Sequence, residues 1–270
     1  MEGKINKKDK PKAKKKRRNL SSLMSISFLP SIFTLLNLLF GFLALIQIIN
    51  GKYKIAVYLV VASMLMDAFD GTIARMTKTE SNFGIQLDSL VDAISFGLVT
   101  SLLIYNWAFK TNYNSIGKII AFFFLSAGVI RLARFNVFKE VKEVPSNVFV
   151  GLPIPSAALS ISSFVLVFRN YSDNKIIITI FGIFSVIVSY MMISNIKYKT
   201  IKNLKLKNSL FLLLLLAFGV SLLIVFPLYT IPFVSIIFLF NPIIFPLIEK
   251  AISRRGRKKT KTKKTKSDSP

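Results

Sequence analysis

Asp67, Asp70, Asp88 and Asp92 stand within 26 residues of a 270-residue chain that carries only 12 acidic side chains. Asp67 and Asp70 are spaced i,i+3, and Asp88 and Asp92 i,i+4, so on helices each pair shares one face. Their surroundings are apolar. Ile55 to Met66 is uncharged and runs into Asp67, and Ala93 to Phe109 is uncharged and follows Asp92. Four carboxylates converging in low dielectric cannot all stay ionised unaided, so a cation or shared protons must accompany them. The sequence has no His and no Cys. Hard oxygen ligands alone favour Mg2+ or Mn2+, and acid–base work falls to carboxylates, Lys or Tyr. The same two zeros exclude a disulfide framework, a thiolate nucleophile, a Cys-based zinc site and a Ser-His-Asp triad.

The elements that must position these aspartates are membrane helices. The chain is 53% hydrophobic with a mean hydropathy of +0.56, yet its formal net charge is +25. A soluble globular domain would expose that apolar excess to water; membrane spans with basic ends do not. Uncharged runs mark the spans: Leu20 to Gly51, Ile55 to Met66, Ala93 to Phe109, Ile119 to Ile130, Val144 to Phe168, Ile176 to Ile196 and Asn208 to Ile248. The last run has 41 residues, about twice the ~20 needed for one crossing. Its Phe226-Pro227 to Pro232 stretch suits a turn, so the run reads as a hairpin of two helices. The expected architecture is therefore an all-α polytopic bundle of eight spans.

Charge placement orients it. With the N-terminus inside, 31 of the 37 Lys and Arg fall on the cytoplasmic side and 6 outside, as the positive-inside rule requires. Residues 1–27 and 249–270 are basic tails without apolar periodicity, which reads as disorder. Flanking bilayer segments, they are expected to fix orientation and touch anionic lipid heads rather than bind nucleic acid, since no base-reading module accompanies them. The first span is too long for a cleavable signal peptide and no small-residue cleavage site follows it. The expected division is a six-helix core over 28–196, a basic cytoplasmic loop over 197–208 and two further helices over 209–248.

Depth places the acids. Asp67 lies 13 residues inward from Lys54, about 20 Å at 1.5 Å per residue, and Asp70 about 24 Å. Asp92 and Asp88 are 18 and 22 residues from Lys110 on the returning helix, about 27 and 33 Å. All four thus lie toward the cytoplasmic face, on two antiparallel helices. Buried ionisable groups are expensive and commonly mark function. Salt bridging to Arg75, Arg131 and Arg134 is the plainer account, but these arginines are too few and two sit on another helix. Arg131 is 13 residues inward from Lys118, level with Asp67, and Arg134 follows at i+3. A cationic pair at that depth suits a polyphosphate, while snorkelling at a helix end is the alternative. Asn37, in mid-span, either bonds a neighbouring helix or meets a polar ligand.

The cluster reads Asp67-x-x-Asp70-Gly71-x-x-Ala74-Arg75, then Gly84-x-x-x-Asp88-x-x-x-Asp92. This resembles the signature of the CDP-alcohol phosphatidyltransferases, with each fixed position filled and each spacing kept. Pro30 to Gly41, Gly128 to Asn136, Phe149 to Pro155 and Ser194 to Tyr198 resemble the branch of that family that uses serine. Ser31 departs from it, standing where relatives commonly have Asn. Thr34 and Asn37, within the same opening helix, remain.

The resemblance implies transfer of the phosphatidyl group of CDP-diacylglycerol to the hydroxyl of L-serine, releasing CMP, at the cytoplasmic face of a bacterial-type inner membrane. By carry-over, Asp67, Asp70 and Asp88 hold two divalent cations, and Asp92 is the general base as well as a candidate ligand. Gly71 and Ala74 line the nucleotide pocket, although small-residue helix packing would also explain them. Arg75 and Ser81 touch the diphosphate region, and Thr34, Asn37, Arg131 and Arg134 are further substrate-binding candidates. Relatives are homodimers, so a homodimer is implied. Glycerol 3-phosphate or inositol phosphate as acceptor is the alternative within the class. A cation transporter is the alternative outside it, but transport calls for midplane charges and paired broken helices.

Overall fold

The computed structural model describes residues 28–77, 82–111, 113–141, 148–199, 221–222 and 225–242; within them, no side-chain placement is given for 28–31, 73–77, 82, 138–141, 148–149, 197 and 199. Both basic tails, most of the expected 197–208 loop and most of the first half of the expected hairpin fall outside these residues.

The chain is a polytopic helical membrane protein. Helices α1 (Phe28–Ile49) and α2 (Tyr53–Thr77) form an antiparallel pair, joined by a tight turn at Gly51, whose φ of 70° suits glycine. A second helical rod begins as α3 (Asn82–Asp92), passes through a π-turn at Ala93–Leu98, continues as α4 (Val99–Ile104) and ends in another π-turn at Tyr105–Phe109. Then come α5 (Asn114–Val141), β1 (Val148–Val150), α6 (Ile154–Val167), α7 (Lys175–Ile193) and β2 (Lys197–Lys199). A last helix, α8, spans Pro227–Pro242. Among the described residues five segments are long and apolar enough to cross a membrane: Ile32–Ile49, Tyr53–Thr72, Phe83–Phe109, Asn114–Val137 and Lys175–Ile193.

The fifth core helix differs from expectation. The uncharged run from Val144 yields a helix of only 14 residues, Ile154–Val167, because Gly151 (φ 81°) turns the chain and Pro153 caps the helix with Pro155 in its first turn. Eleven of the fourteen residues are buried, so α6 is a core helix wrapped by its neighbours. The expected turn at Phe226 to Pro232 is also shorter than supposed. The helix is broken at Phe226 and restarts at Pro227, and Pro232 lies inside it. Ser235 of α8 bonds Ser160 of α6 at 3.2 Å and accepts from Ser163 at 3.3 Å, fastening α8 to α6 by buried polar contacts, as membrane helices do.

The two strands, unforeseen in the sequence, pair antiparallel with Phe149 opposite Tyr198. They join the segments before α6 and after α7 at the end of the bundle that carries the acids. The opposite end is packed with rings: Trp107 meets Phe181 edge-on at 4.8 Å, and Phe164 lies 5.0 Å from Phe181. Phenylalanines thus serve inside as well as on the lipid face. Phe96, Phe124 and Phe181 are fully enclosed while Phe42 and Phe122 are exposed.

Candidate active site

Helix α1 turns a single stripe inward: Thr34, Asn37, Ala44 and Ile48 are all buried, whereas Leu35, Leu39 and Phe42 are exposed. The polar half of the stripe is what reaches the acids. The Thr34 hydroxyl donates to a carboxylate oxygen of Asp70. Asn37 Nδ2 donates to Asp92 Oδ1 at 3.5 Å. The hydroxyl of Ser63, on α2, donates to Asn37 Oδ1 and lies 3.1 Å from its backbone carbonyl oxygen. Ser95 Oγ donates to the same carbonyl at 3.3 Å. The amide of Asn37 is thereby set with its oxygen toward Ser63 and its nitrogen toward Asp92. Of the two roles open to Asn37, the structure shows the interhelical bond.

Close approach of α1 to the second rod depends on Gly41. A Cβ there would sit 2.5 Å from Ser95 Oγ and 2.9 Å from Ser95 Cα. Ser95 lies in the π-turn that directly follows Asp92, where Val99 N–H bonds back to Ile94 O. A π-turn inserts one residue into the helical phase, so the faces before and after Asp92 are offset from those of a regular helix.

Asp67, Asp88 and Asp92 come together, with one carboxylate oxygen from each lying within 4.8 Å of the others. Asp92 is buried and the other two are half-buried. Three carboxylates this close, in surroundings that water scarcely screens, repel strongly unless a cation lies among them. The donor set is oxygen only, and it fits a hard divalent ion. Asp70 is not part of this trio. It is as buried as Asp92, but its carboxylate is held by Thr34.

Arg131 and Arg134 do not act as the expected pair. Arg131 is buried, interacts electrostatically with Asp92 and Asp67, and lies 5.3 Å from the Phe135 ring centroid. Arg134 turns the other way. It donates to the carbonyl oxygens of Ile193 (2.9 Å), Ser194 (3.0 Å), Val150 (3.1 Å) and Met192 (3.4 Å), and to Asn195 Oδ1 at 3.4 Å. The carbonyls left open at the C-terminal end of α7 attract a cation, and this guanidinium meets them. Gly151 makes room for it, since a Cβ there would lie 2.7 Å from Arg134 Nη2.

Gly71 behaves differently from the packing glycines. Among the described residues nothing lies within 4 Å of where its Cβ would be, so none of them packs against it. Ala74 and Arg75 are helical residues whose side chains lie outside the description, and Ser81 is outside the described residues altogether. Sequence reasoning missed Ser63, Ser95 and the Ser89–Asn136 link between α3 and α5, in which Asn136 Nδ2 donates to Ser89 Oγ at 2.9 Å. Ser63 was findable, because it stands four residues before Asp67 and so on the same helix face.

Comparison with known proteins agrees with this geometry. The family model described as CDP-alcohol phosphatidyltransferase matches residues 27–193. A CDP-diacylglycerol–serine O-phosphatidyltransferase of Helicobacter pylori is 35% identical over 192 residues, covering 69% of this chain and 78% of that one. The protein of that name from Methanocaldococcus jannaschii is 36% identical over 182 residues, covering 67% and 79%. An archaetidylserine synthase of Methanothermobacter thermautotrophicus is 35% identical over 182 residues, covering 67% and 73%. The matched span runs from α1 to the end of α7 and contains all four aspartates, and the chain belongs to the CDP-alcohol phosphatidyltransferase family.

Proposed function

We propose that this protein transfers the phosphatidyl group of CDP-diacylglycerol to the hydroxyl of L-serine, forming phosphatidylserine and releasing CMP. The observation that carries the chemistry is the convergence of Asp67, Asp88 and Asp92 on one point. The serine-naming relatives support the acceptor.

In this reading Asp92 is the base. It takes the proton of the serine hydroxyl as that oxygen attacks the phosphorus that bears the diacylglycerol. The new O–P bond forms while the P–O bond to CMP breaks, and CMP leaves with the electron pair. Asn37 holds Asp92 Oδ1, which aims the other oxygen at the proton. Asp67, Asp70 and Asp88 are the residues that would hold two divalent cations, Mg2+ or Mn2+, with Asp92 close enough to share one. When bound, such ions neutralise the charge developing on the leaving diphosphate oxygen. The nucleotide lies beside α2 at Gly71, against which no described residue packs, and Ala74, Arg75 and Ser81 extend the same surface.

The wider arrangement is proposed along with it. Eight spans place both termini and the site at the cytoplasmic face of the cell membrane, with the core over 28–196, a basic loop over 197–208 and a two-helix hairpin over 209–248. The active form is a homodimer. Membranes holding this chain are supplied with CDP-diacylglycerol and labelled serine, glycerol 3-phosphate or inositol phosphate. Label is expected in lipid from serine alone, together with CMP release that a chelator stops. Incorporation of a different acceptor only would overturn the assignment.

A further inference from the structure

The bond between Thr34 and Asp70 sets the fourth acid apart from the other three. Thr34, on α1, is 3% exposed and Asp70, on α2, is 7% exposed, so water scarcely competes for the hydroxyl that Thr34 donates to a carboxylate oxygen. A hydrogen bond to a charged acceptor is stronger than a neutral one, and a low local dielectric strengthens it further. The residues just before these two also meet. The ring centroids of Phe33 and Phe69 lie 6.3 Å apart, which helps hold α1 and α2 in the register at which the hydroxyl reaches the acid.

The placing of charge gives this bond a role. Asp67, Asp88 and Asp92 each bring an oxygen to one point, which suits one ion. Two ions that clamp one displacement at phosphorus lie about 3.5–4 Å apart, so the ligands of both cannot all converge on one centre. An Asp70 free to turn would be drawn to the nearest cation as a fourth carboxylate, and the second position would lose its ligand. We infer that Thr34 is a positioning residue that withholds Asp70 from the first cation. The chain then presents one cation position ready-made and completes the second only together with the substrate's diphosphate. At that second position the remaining oxygen of Asp70 meets the ion, and diphosphate oxygens fill out the coordination, as substrate phosphates commonly do for Mg2+. This rests on the reading of the four acids as a two-cation site.

The test titrates Mn2+ into the purified full chain and follows the free ion by electron paramagnetic resonance, with and without CDP-diacylglycerol and with serine withheld. Wild type is expected to bind one ion per chain alone and a second only with CDP-diacylglycerol. Thr34→Val keeps the shape and removes the hydroxyl. Its first ion should bind about tenfold tighter, because a carboxylate is added to that centre, and its second about tenfold weaker, the usual scale for losing an outer partner of a ligand. Thr34→Ser, which keeps the hydroxyl, should match wild type in both steps. Shifts of opposite sign separate positioning from structural damage, which weakens both steps. Two ions bound by wild type without CDP-diacylglycerol overturn the inference with no recourse to a variant, so a misfolded Thr34→Val does not shelter it. A Thr34→Val that shifts both steps alike, or neither, overturns it too. Stepwise binding by a wild-type preparation that incorporates no serine upholds this inference while defeating the proposed acceptor, and a preparation that binds no ion defeats both this inference and the two-cation reading.

Discussion

Asn37 Nδ2 and Asp92 Oδ1 lie 3.5 Å apart across two helices, although the residues are 55 positions apart in the chain. The amide cannot turn over without losing the bond from Ser63, so Asp92 meets an N–H rather than a carbonyl. Replacing Asn37 with Ala is expected to lower kcat by about 10- to 100-fold, the usual scale for a residue that orients a reacting group, with the KM for CDP-diacylglycerol little changed. Replacing Ser63 with Ala should give a smaller loss of the same kind. Steady-state kinetics check both; a loss confined to KM would show that Asn37 holds substrate instead.

Removing one member of the carboxylate trio should act through the ion. Asp67→Asn is expected to raise the half-activating Mg2+ or Mn2+ concentration by on the order of tenfold or more. Calorimetric titration of the ion into wild type and variant, without substrate, separates this from any effect on turnover. An unchanged titration would remove Asp67 from the binding set.

Two glycines offer a matched contrast. At Gly71 no described residue lies within reach of a Cβ, and leucine also favours a helix over glycine by up to about 1 kcal/mol. Gly71→Leu should therefore fold with an undiminished melting temperature, yet raise the KM for CDP-diacylglycerol about tenfold or more by crowding the nucleotide proposed to lie beside it. Gly41→Leu meets Ser95 backbone and side chain and should lower stability by about 1–3 kcal/mol, the ordinary cost of overpacking. Thermal melts in detergent and kinetics on the same samples distinguish the two.

Tyr198, on β2 and outside the spans, is buried and its hydroxyl has no partner among the described residues. Burial pushes that hydroxyl up to about 12. The folded state therefore keeps a proton that the unfolded chain loses near pH 10. The contribution is intact below pH 10 and is lost as pH rises from there through about 12. Tyr198→Phe is expected to flatten this alkaline decline, and to be neutral or up to about 1 kcal/mol stabilising at pH 7 because it removes an unmet polar group. Denaturation midpoints at pH 7, 10 and 11 measure it.

Much of this was legible in the sequence, for a physical reason. A carboxylate in an apolar run is rare enough to stand out, and helical spacing says which acids share a face. Asp67, Asp88 and Asp92 could be placed together on those grounds. What failed to show was whatever depends on backbone acceptors. Arg134 at i+3 from Arg131 looks like a partner in charge, but carbonyl oxygens leave no mark in a sequence, and they are what it binds. The strands at Val148–Val150 and Lys197–Lys199 are three residues each, too short for a period to register. Asp70 shares its helix face with Asp67, yet a hydroxyl from α1 draws its carboxylate aside, and that neighbour became visible only in three dimensions.

The clasp made by Arg134 has a bearing on biogenesis. Its main acceptors, the carbonyls of Ile193 and Ser194, are 59 and 60 positions further along the chain. The ribosome must therefore deliver the whole of α6 and α7 before the guanidinium finds its berth, and until then a cation waits near the membrane boundary with its donors turned to water or lipid phosphate. Closure of this end of the bundle is thus a late event in insertion, and a chain halted before Ile193 would hold its first helices without the latch that joins them to the end of α7.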